Sequence, residues 1–246
     1  MAASIHLGLS LAVASLAALL VFVLWYPYPY RVISGGRDLF FLVVAVDVVM
    51  GPLMTLAVFN RNKPYKELRR DLGVIGLLQI ATLAYGLWTV AVARPVHLVF
   101  EIDRFRVVHA IDIPPELLNR APAGLNQLPL LGPTLLSIRE FKDSKENFDA
   151  TMAALQGLAL GARPDLWQSY ALGKPQIMAQ MRPLAELKKR FPERTNEIDG
   201  ALRSASPTAR MNAVSYFPLT GRNTFWTVLI DDKTAEVLAF VPIDSF

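Results

Sequence analysis

Residues 39–59 read LFFLVVAVDVVMGPLMTLAVF, an apolar run interrupted only by Asp47 and the Gly51-Pro52 pair. Crossing a bilayer as a helix takes about 20 predominantly apolar residues, so this stretch predicts a spanning helix. Two similar runs flank it. Residues 5–26 carry no charge beyond that on a protonated His6, and residues 72–93 have Gln79 as their main polar residue. Any one run alone fits a buried helix of a soluble protein. Three, separated by short charged loops, predict a three-span helical region over residues 1–94. The first run is read as a retained span. No Lys or Arg precedes it, and its small residues lie inside the apolar stretch rather than after it, unlike a cleavable leader.

Composition agrees. The 246 residues are 53% hydrophobic and 19% charged, with a mean hydropathy of +0.34, whereas an average soluble domain carries about 25% charge. There is no cysteine, which excludes disulfides, Cys-ligated metal centres and a thiol nucleophile. The formal charge of +4 is not a nucleic-acid footprint, which needs a basic face on a folded domain. From residue 94 onward 18 Lys and Arg face 17 Asp and Glu. The excess sits in the loops, above all in residues 60–71, with Arg61, Lys63, Lys66, Arg69 and Arg70. Basic loops stay in the cytoplasm. The N-terminus is therefore expected to be cytoplasmic too, and everything after residue 93 to lie across the membrane. Trp25, Tyr26, Tyr28, Tyr30 and Trp88 then fall at one outer interface.

Residues 95–246 read as one α+β domain. Leu98, Phe100 and Ile102 share one parity, and Phe105, Val107 and His109 the other. That switch predicts a hairpin turning at Asp103-Arg104, pairing Ile102 with Phe105 and Phe100 with Val107, and setting Glu101 opposite Arg106. Asp-Arg is not a favoured two-residue turn, so a single bulged strand is the alternative. A Pro-, Gly- and Leu-rich loop (114–133) and a short strand (135–138) follow. Asp143 or Ser144 caps a helix, with Glu146 placed for a capping box and Phe148, Met152 and Leu155 as its apolar face. Further helices are expected over 183–191 and 192–202, and strands over 212–217, 225–230 and 237–241, with a tight turn at 231–234.

Reactive chemistry is sparse. His97 and His109 lack metal-site spacing. Gly173-Lys174 is followed by Pro175 and has Gln168 where a phosphate loop needs its first glycine. Asp231-Asp232 read as turn formers, and Glu140, Asp143 and Glu146 as a solvated helix start. No catalytic residue, metal site or cofactor is expected. The costly residue is Asp47, since an acid at mid-span costs about 2.5–3.5 kcal/mol on the insertion scale. Two readings stay open for it: an acid that is neutral or hydrogen-bonds internally to Gln79 or Thr55, or contact with a partner in the membrane. Pro52 leaves a carbonyl near Val48 without a donor and predicts a kink. Small residues recur every four positions at Ser10, Ala14 and Ala18 and at Ser4, Gly8 and Ala12, which allows close helix approach.

The stretch VDVVMGPLMTL (46–56) with Val58-Phe59 resembles the second-span signature of the type IV pilin accessory proteins, the TfpX/TfpZ or FimB-like group. Leu68-Arg69-Arg70-Asp71-Leu72, Gln79, Tyr85-Gly86, Arg94-Pro95-Val96, and FEIDRF (100–105) with Val107-Val108 follow the same pattern. The resemblance implies a multi-pass inner-membrane protein of Gram-negative bacteria with a periplasmic C-terminal domain. It further implies a non-catalytic role in assembling the cognate major pilin into surface pili, beside the assembly machinery. On this expectation Asp47, Gly51, Pro52 and Gln79 meet the pilin's membrane helix, and Glu101, Asp103, Arg104 and Trp226 its periplasmic head. The alternative is a membrane-anchored periplasmic ligand-binding or sensor protein. It needs a cytoplasmic output element, for which residues 60–71 are too short.

Overall fold

The computed structural model describes residues 2–58, 64–207 and 213–246, in two compact units, Met1–Arg94 and Pro95–Phe246.

In the first unit α1 (Ala2–Leu19) runs on into a π-helical turn, Leu20–Trp25. After the short α2 (Tyr30–Ile33), α3 (Gly36–Ala45) continues through a π-helical stretch, Val46–Met50, into α4 (Gly51–Val58). Then comes α5 (Tyr65–Val92). Three segments are long and apolar enough to cross a membrane: Ser4–Trp25, Gly36–Val58 and Tyr65–Val92. They pack through Ala17, Val21, Tyr26, Phe40 and Val90, and the Tyr26 hydroxyl donates to the Val90 carbonyl at 3.0 Å. Leu16, Leu42 and Leu77 are exposed, as they would be on a surface that faces lipid.

One expectation needs correction. The third helix starts at Tyr65, so Lys66, Arg69 and Arg70 lie on it and not in a loop. Pro64 precedes its first turn, and Lys, Glu, Leu and Arg are all good helix formers. Phe59, Asn60, Arg61 and Lys63 lie outside the described residues. The proline irregularity takes the form of the π-helical stretch just before Pro52, where a widened ladder absorbs the missing amide.

In the second unit the described residues form an eight-stranded mixed sheet. Its strands are β1 (Pro95–Phe100), β2 (Phe105–His109), β3 (Thr134–Ile138), β4 (Trp167–Ser169), β5 (Arg182–Pro183), β6 (Val214–Thr220), β7 (Phe225–Asp231) and β8 (Val237–Val241). The order is β4-β3-β1-β2-β6-β7-β8, with β5 pairing β6. β1 runs parallel to β3 and β2 parallel to β6, and the other pairs are antiparallel. Helices α6 (Pro115–Leu118), α7 (Ser144–Leu155), α8 (Tyr170–Ala179), α9 (Leu184–Arg190) and α10 (Thr195–Ala205) complete it. One core gathers Val99, Val108, Leu136, Ala150 and Trp167. A second gathers Leu187, Ile198, Leu202, Tyr216 and Leu229. Between them Phe100, Phe105 and Phe217 meet edge to face, with ring centroids 5.1–5.8 Å apart.

The β1–β2 hairpin forms, but Phe100 pairs with Phe105 and Leu98 with Val107. Ile102 therefore sits exposed at the tip instead of facing Phe105. Asp143 caps α7, its Oδ1 accepting the Glu146 amide at 2.7 Å, yet Phe148, Met152 and Leu155 are exposed and the helix buries Ala150 instead. α8, with Pro175 inside it, was not expected. β6 begins at Val214; Asn212, the expected first residue of that strand, lies outside the described residues. The Asp231 turn forms as read, Oδ1 accepting the Lys233 and Thr234 amides at 2.9 and 2.8 Å.

Candidate functional site

Within the helical unit, polar side chains converge at the π-helical stretch. Gln79 on α5 donates from Nε2 to the main-chain carbonyl of Asp47 at 3.3 Å. His6 on α1 pairs through Nδ1 with the Thr55 hydroxyl, which is buried. Neither expected partner reaches the Asp47 carboxylate: Gln79 takes the backbone and Thr55 takes His6. Asp47 Oδ1 is buried without a hydrogen-bond partner among the described residues. Gly51 makes this geometry possible, because a Cβ there would lie 1.8 Å from Gln79 Nε2. Of the two small-residue stripes, Ser10 is buried and Ala14 and Ala18 half-buried, whereas Ser4, Gly8 and Ala12 are exposed.

A second close approach holds the groove between the second and third membrane-length helices. It has a volume of about 460 Å³ and is lined by Leu42, Val46, Leu78, Tyr85 and Gly86, among others. A Cβ on Gly86 would meet Val43 Cγ1 at 2.6 Å, and a β-branched valine on a helix has little rotamer freedom to retreat. Gly86→Val should therefore cost about 1–3 kcal/mol by overpacking. Gly76→Val, where a Cβ meets nothing within 4 Å, should be nearly neutral. Thermal unfolding of the two purified variants in detergent checks the contrast, and equal midpoints would refute it.

In the mixed domain the expected surface residues separate. Glu101 is 5% exposed: its Oε1 accepts Arg106 Nε at 2.7 Å and the Gly161 amide at 2.9 Å. Trp226 is 7% exposed. Both belong to the interior, since strand alternation fixes parity but not which loop folds over a strand. Asp103 and Arg104 sit at the hairpin tip, ion-paired at 2.8 Å, with the Arg104 guanidinium 4.9 Å above the Phe246 ring. Sequence reasoning missed the ridge of Phe148 and Leu155, 64% and 77% exposed. Its helical spacing was legible, but its exposure was not.

The two strand histidines do not pair. His97 is bonded through Nδ1 to Thr134 Oγ1 at 2.7 Å and meets the Trp167 ring edge to face at 4.6 Å; burial pushes its pKa down to about 4. His109 Nδ1 contacts Asp112 Oδ2 at 3.0 Å. Burial pushes the Asp112 carboxyl up, but bonds and charge from His109, with the charge of Arg222, outweigh it and hold the group below its usual range. Among the described residues no three His, Asp or Glu side chains cluster as a metal site.

These features define a class: three membrane-length helices and a mixed helix-and-sheet domain, with an acid inside the second helix whose Oδ1 has no hydrogen-bond partner among the described residues. The family model described as fimbrial assembly protein FimB matches residues 1–35. The chain is 35% identical over 243 residues to the fimbrial assembly protein of serogroup I from Dichelobacter nodosus, covering 98% of this chain and 94% of that one. It is 34% identical over the same length to the serogroup E1 protein of that organism, with the same coverage. Against the protein of serogroups C1 and C2 identity is 43% over 118 residues, 48% of this chain and 88% of the relative. The chain belongs to the FimB family of fimbrial assembly proteins. No solved structure matches it.

Proposed function

We propose that the chain is a non-catalytic accessory factor that holds a type IV pilin in the bacterial inner membrane before the assembly machinery takes it into surface pili. The observation that carries this is the Asp47 carboxylate. An acid inside an apolar spanning helix is expensive and marks a functional contact, and here its buried Oδ1 has no hydrogen-bond partner among the described residues. Pro52 removes an amide, Gly51 makes room, and Gln79 takes the Asp47 carbonyl, so the carboxylate is left for a donor on the pilin's membrane helix. The exposed Ser4, Gly8 and Ala12 stripe suits close approach of that helix.

With the basic 60–71 segment in the cytoplasm, the mixed domain stands in the periplasm, where the Asp103-Arg104 tip and the Phe148–Leu155 ridge meet the pilin head. Two contacts on one partner raise each other's effective concentration. Photo-cross-linkers placed at Asp47 and Phe148 in cells should each yield a pilin adduct. Adducts only with lipid and with the chain itself, while pilin is abundant, would defeat the proposal. Asp47→Leu should lower surface pili about tenfold, equivalent to about 1.4 kcal/mol of binding, at unchanged total pilin.

A further inference from the structure

A cavity of about 250 Å³ opens between the end of β2, the segment after α7 and the β6–β7 turn, lined by Arg106, His109, Asp112, Gly157, Gly221 and Arg222 among others. One oxygen of each of the two carboxylates beside it is already engaged. Glu101, which backs Arg106, takes that side chain's Nε and the Gly161 amide. Asp112 Oδ2 takes the His109 amide at 3.2 Å and faces its Nδ1 at 3.0 Å. Its donors are in surplus. Arg106 gives Nε to Glu101, which leaves its terminal nitrogens for a ligand, and Arg222 is exposed with its charge acting on Asp112. His109, only 1% exposed, has Nε2 buried without a partner among the described residues. With Nδ1 turned to the Asp112 carboxylate, Nε2 donates in the doubly protonated ring, the form a carboxylate ligand favours. A buried polar atom without a partner calls for an explanation, and a missing ligand is one.

We propose that this cavity binds a single carboxylate, carried on a group no larger than an acidic side chain or a chain terminus. The planar forks of two arginines match the two oxygens of a carboxylate. The resident carboxylates Glu101 and Asp112 disfavour a dianion such as phosphate, because like charges at close range repel. The volume admits a few carbon atoms beyond the carboxylate. The inference stands on this cavity alone and does not depend on a pilin being the partner.

The test uses the full chain in detergent micelles with ¹⁵N-labelled histidine, titrated separately with propionate and with inorganic phosphate. Propionate should shift the His109 Nε2 resonance saturably and more tightly than phosphate does. Arg222→Ala should weaken that binding at least about tenfold, the size of one charge-assisted interaction, with an unchanged thermal midpoint because Arg222 is exposed. Arg222→Lys should recover part of it. No saturable shift, tighter phosphate binding, or equal affinity in Arg222→Ala would overturn the proposal. Capture of the cognate pilin by the same variants then separates the sources: reduced capture by Arg222→Ala puts the carboxylate on the pilin, and undiminished capture assigns a free small acid.

Discussion

Lowering the pH from 7 to 4 should remove roughly 3 kcal/mol of stability from the mixed domain through His97 alone, at 1.36 kcal/mol per pKa unit. Burial holds this imidazole neutral, with its pKa lowered from 6.5 to about 4. In the unfolded chain it takes up a proton below about pH 6.5. Between those values the unfolded state binds more protons, so stability rises with pH there. The contribution is complete above pH 6.5, declines as pH falls, and levels off below about 4. Denaturant unfolding of the full chain in detergent, followed by tryptophan fluorescence, measures the slope. His97→Phe keeps a ring against Trp167 and loses the bond to Thr134, costing about 1 kcal/mol at every pH, but its profile should be flat between pH 6.5 and 4.5. Below that a second slope remains, because Arg139 hydrogen bonds hold the Glu146 carboxyl near 2; that contribution is present above about pH 4.5 and lost as pH falls through 2. A variant as steep as the parent between 6.5 and 4.5 would rule His97 out as the source.

The three membrane-length helices were legible because hydropathy averages over about 20 residues, and a single Asp or Pro cannot cancel it. Strand parity was equally secure. The β1–β2 turn is centred one residue earlier than read, with the Glu101 amide bonded to the Arg104 carbonyl at 2.8 Å. Such a change shifts every pair by two positions and keeps each side chain on its face, which is why Glu101 still finds Arg106. Periodicity in α7 likewise shows which residues share a side and says nothing about which side is covered. α8 was hidden by its own breakers: Pro175 denies an amide to the Ala171 carbonyl, and Gly173 is there because a Cβ would lie 2.1 Å from Ser137 Oγ. For the site, the expense of Asp47 in lipid was visible from type and position alone. How the neighbouring polar groups divide between backbone and side chains depends on ångström-scale packing, and no spacing rule encodes that.

Glu101→Ala should destabilise the mixed domain by about 3–5 kcal/mol, the range for removing one partner of a buried charge pair. The loss is larger than that of an ordinary surface ion pair because Glu101 joins three elements. Its carboxylate fixes Arg106 on β2 and the Gly161 amide in the segment after α7, and the Gly161 carbonyl in turn accepts Trp167 Nε1 at 2.8 Å. Gly161 packs against the same wall, where a Cβ would stand 3.2 Å from Glu101 Oε1 and from Val108 Cγ2. Glu101→Gln retains the shape and one acceptor but not the charge, so it should lose roughly half as much, in line with the difference between charged and neutral hydrogen bonds. Amide exchange separates this network from a general loss of stability. At equal global stability, adjusted with denaturant, the Gly161 amide should exchange faster in both variants than in the parent, while the paired β7–β8 amides should not. Matching exchange at Gly161 in parent and variants would mean that the 159–162 segment is held by its apolar packing, with Ala162 in the buried cluster and Leu160 against it, and not by the carboxylate.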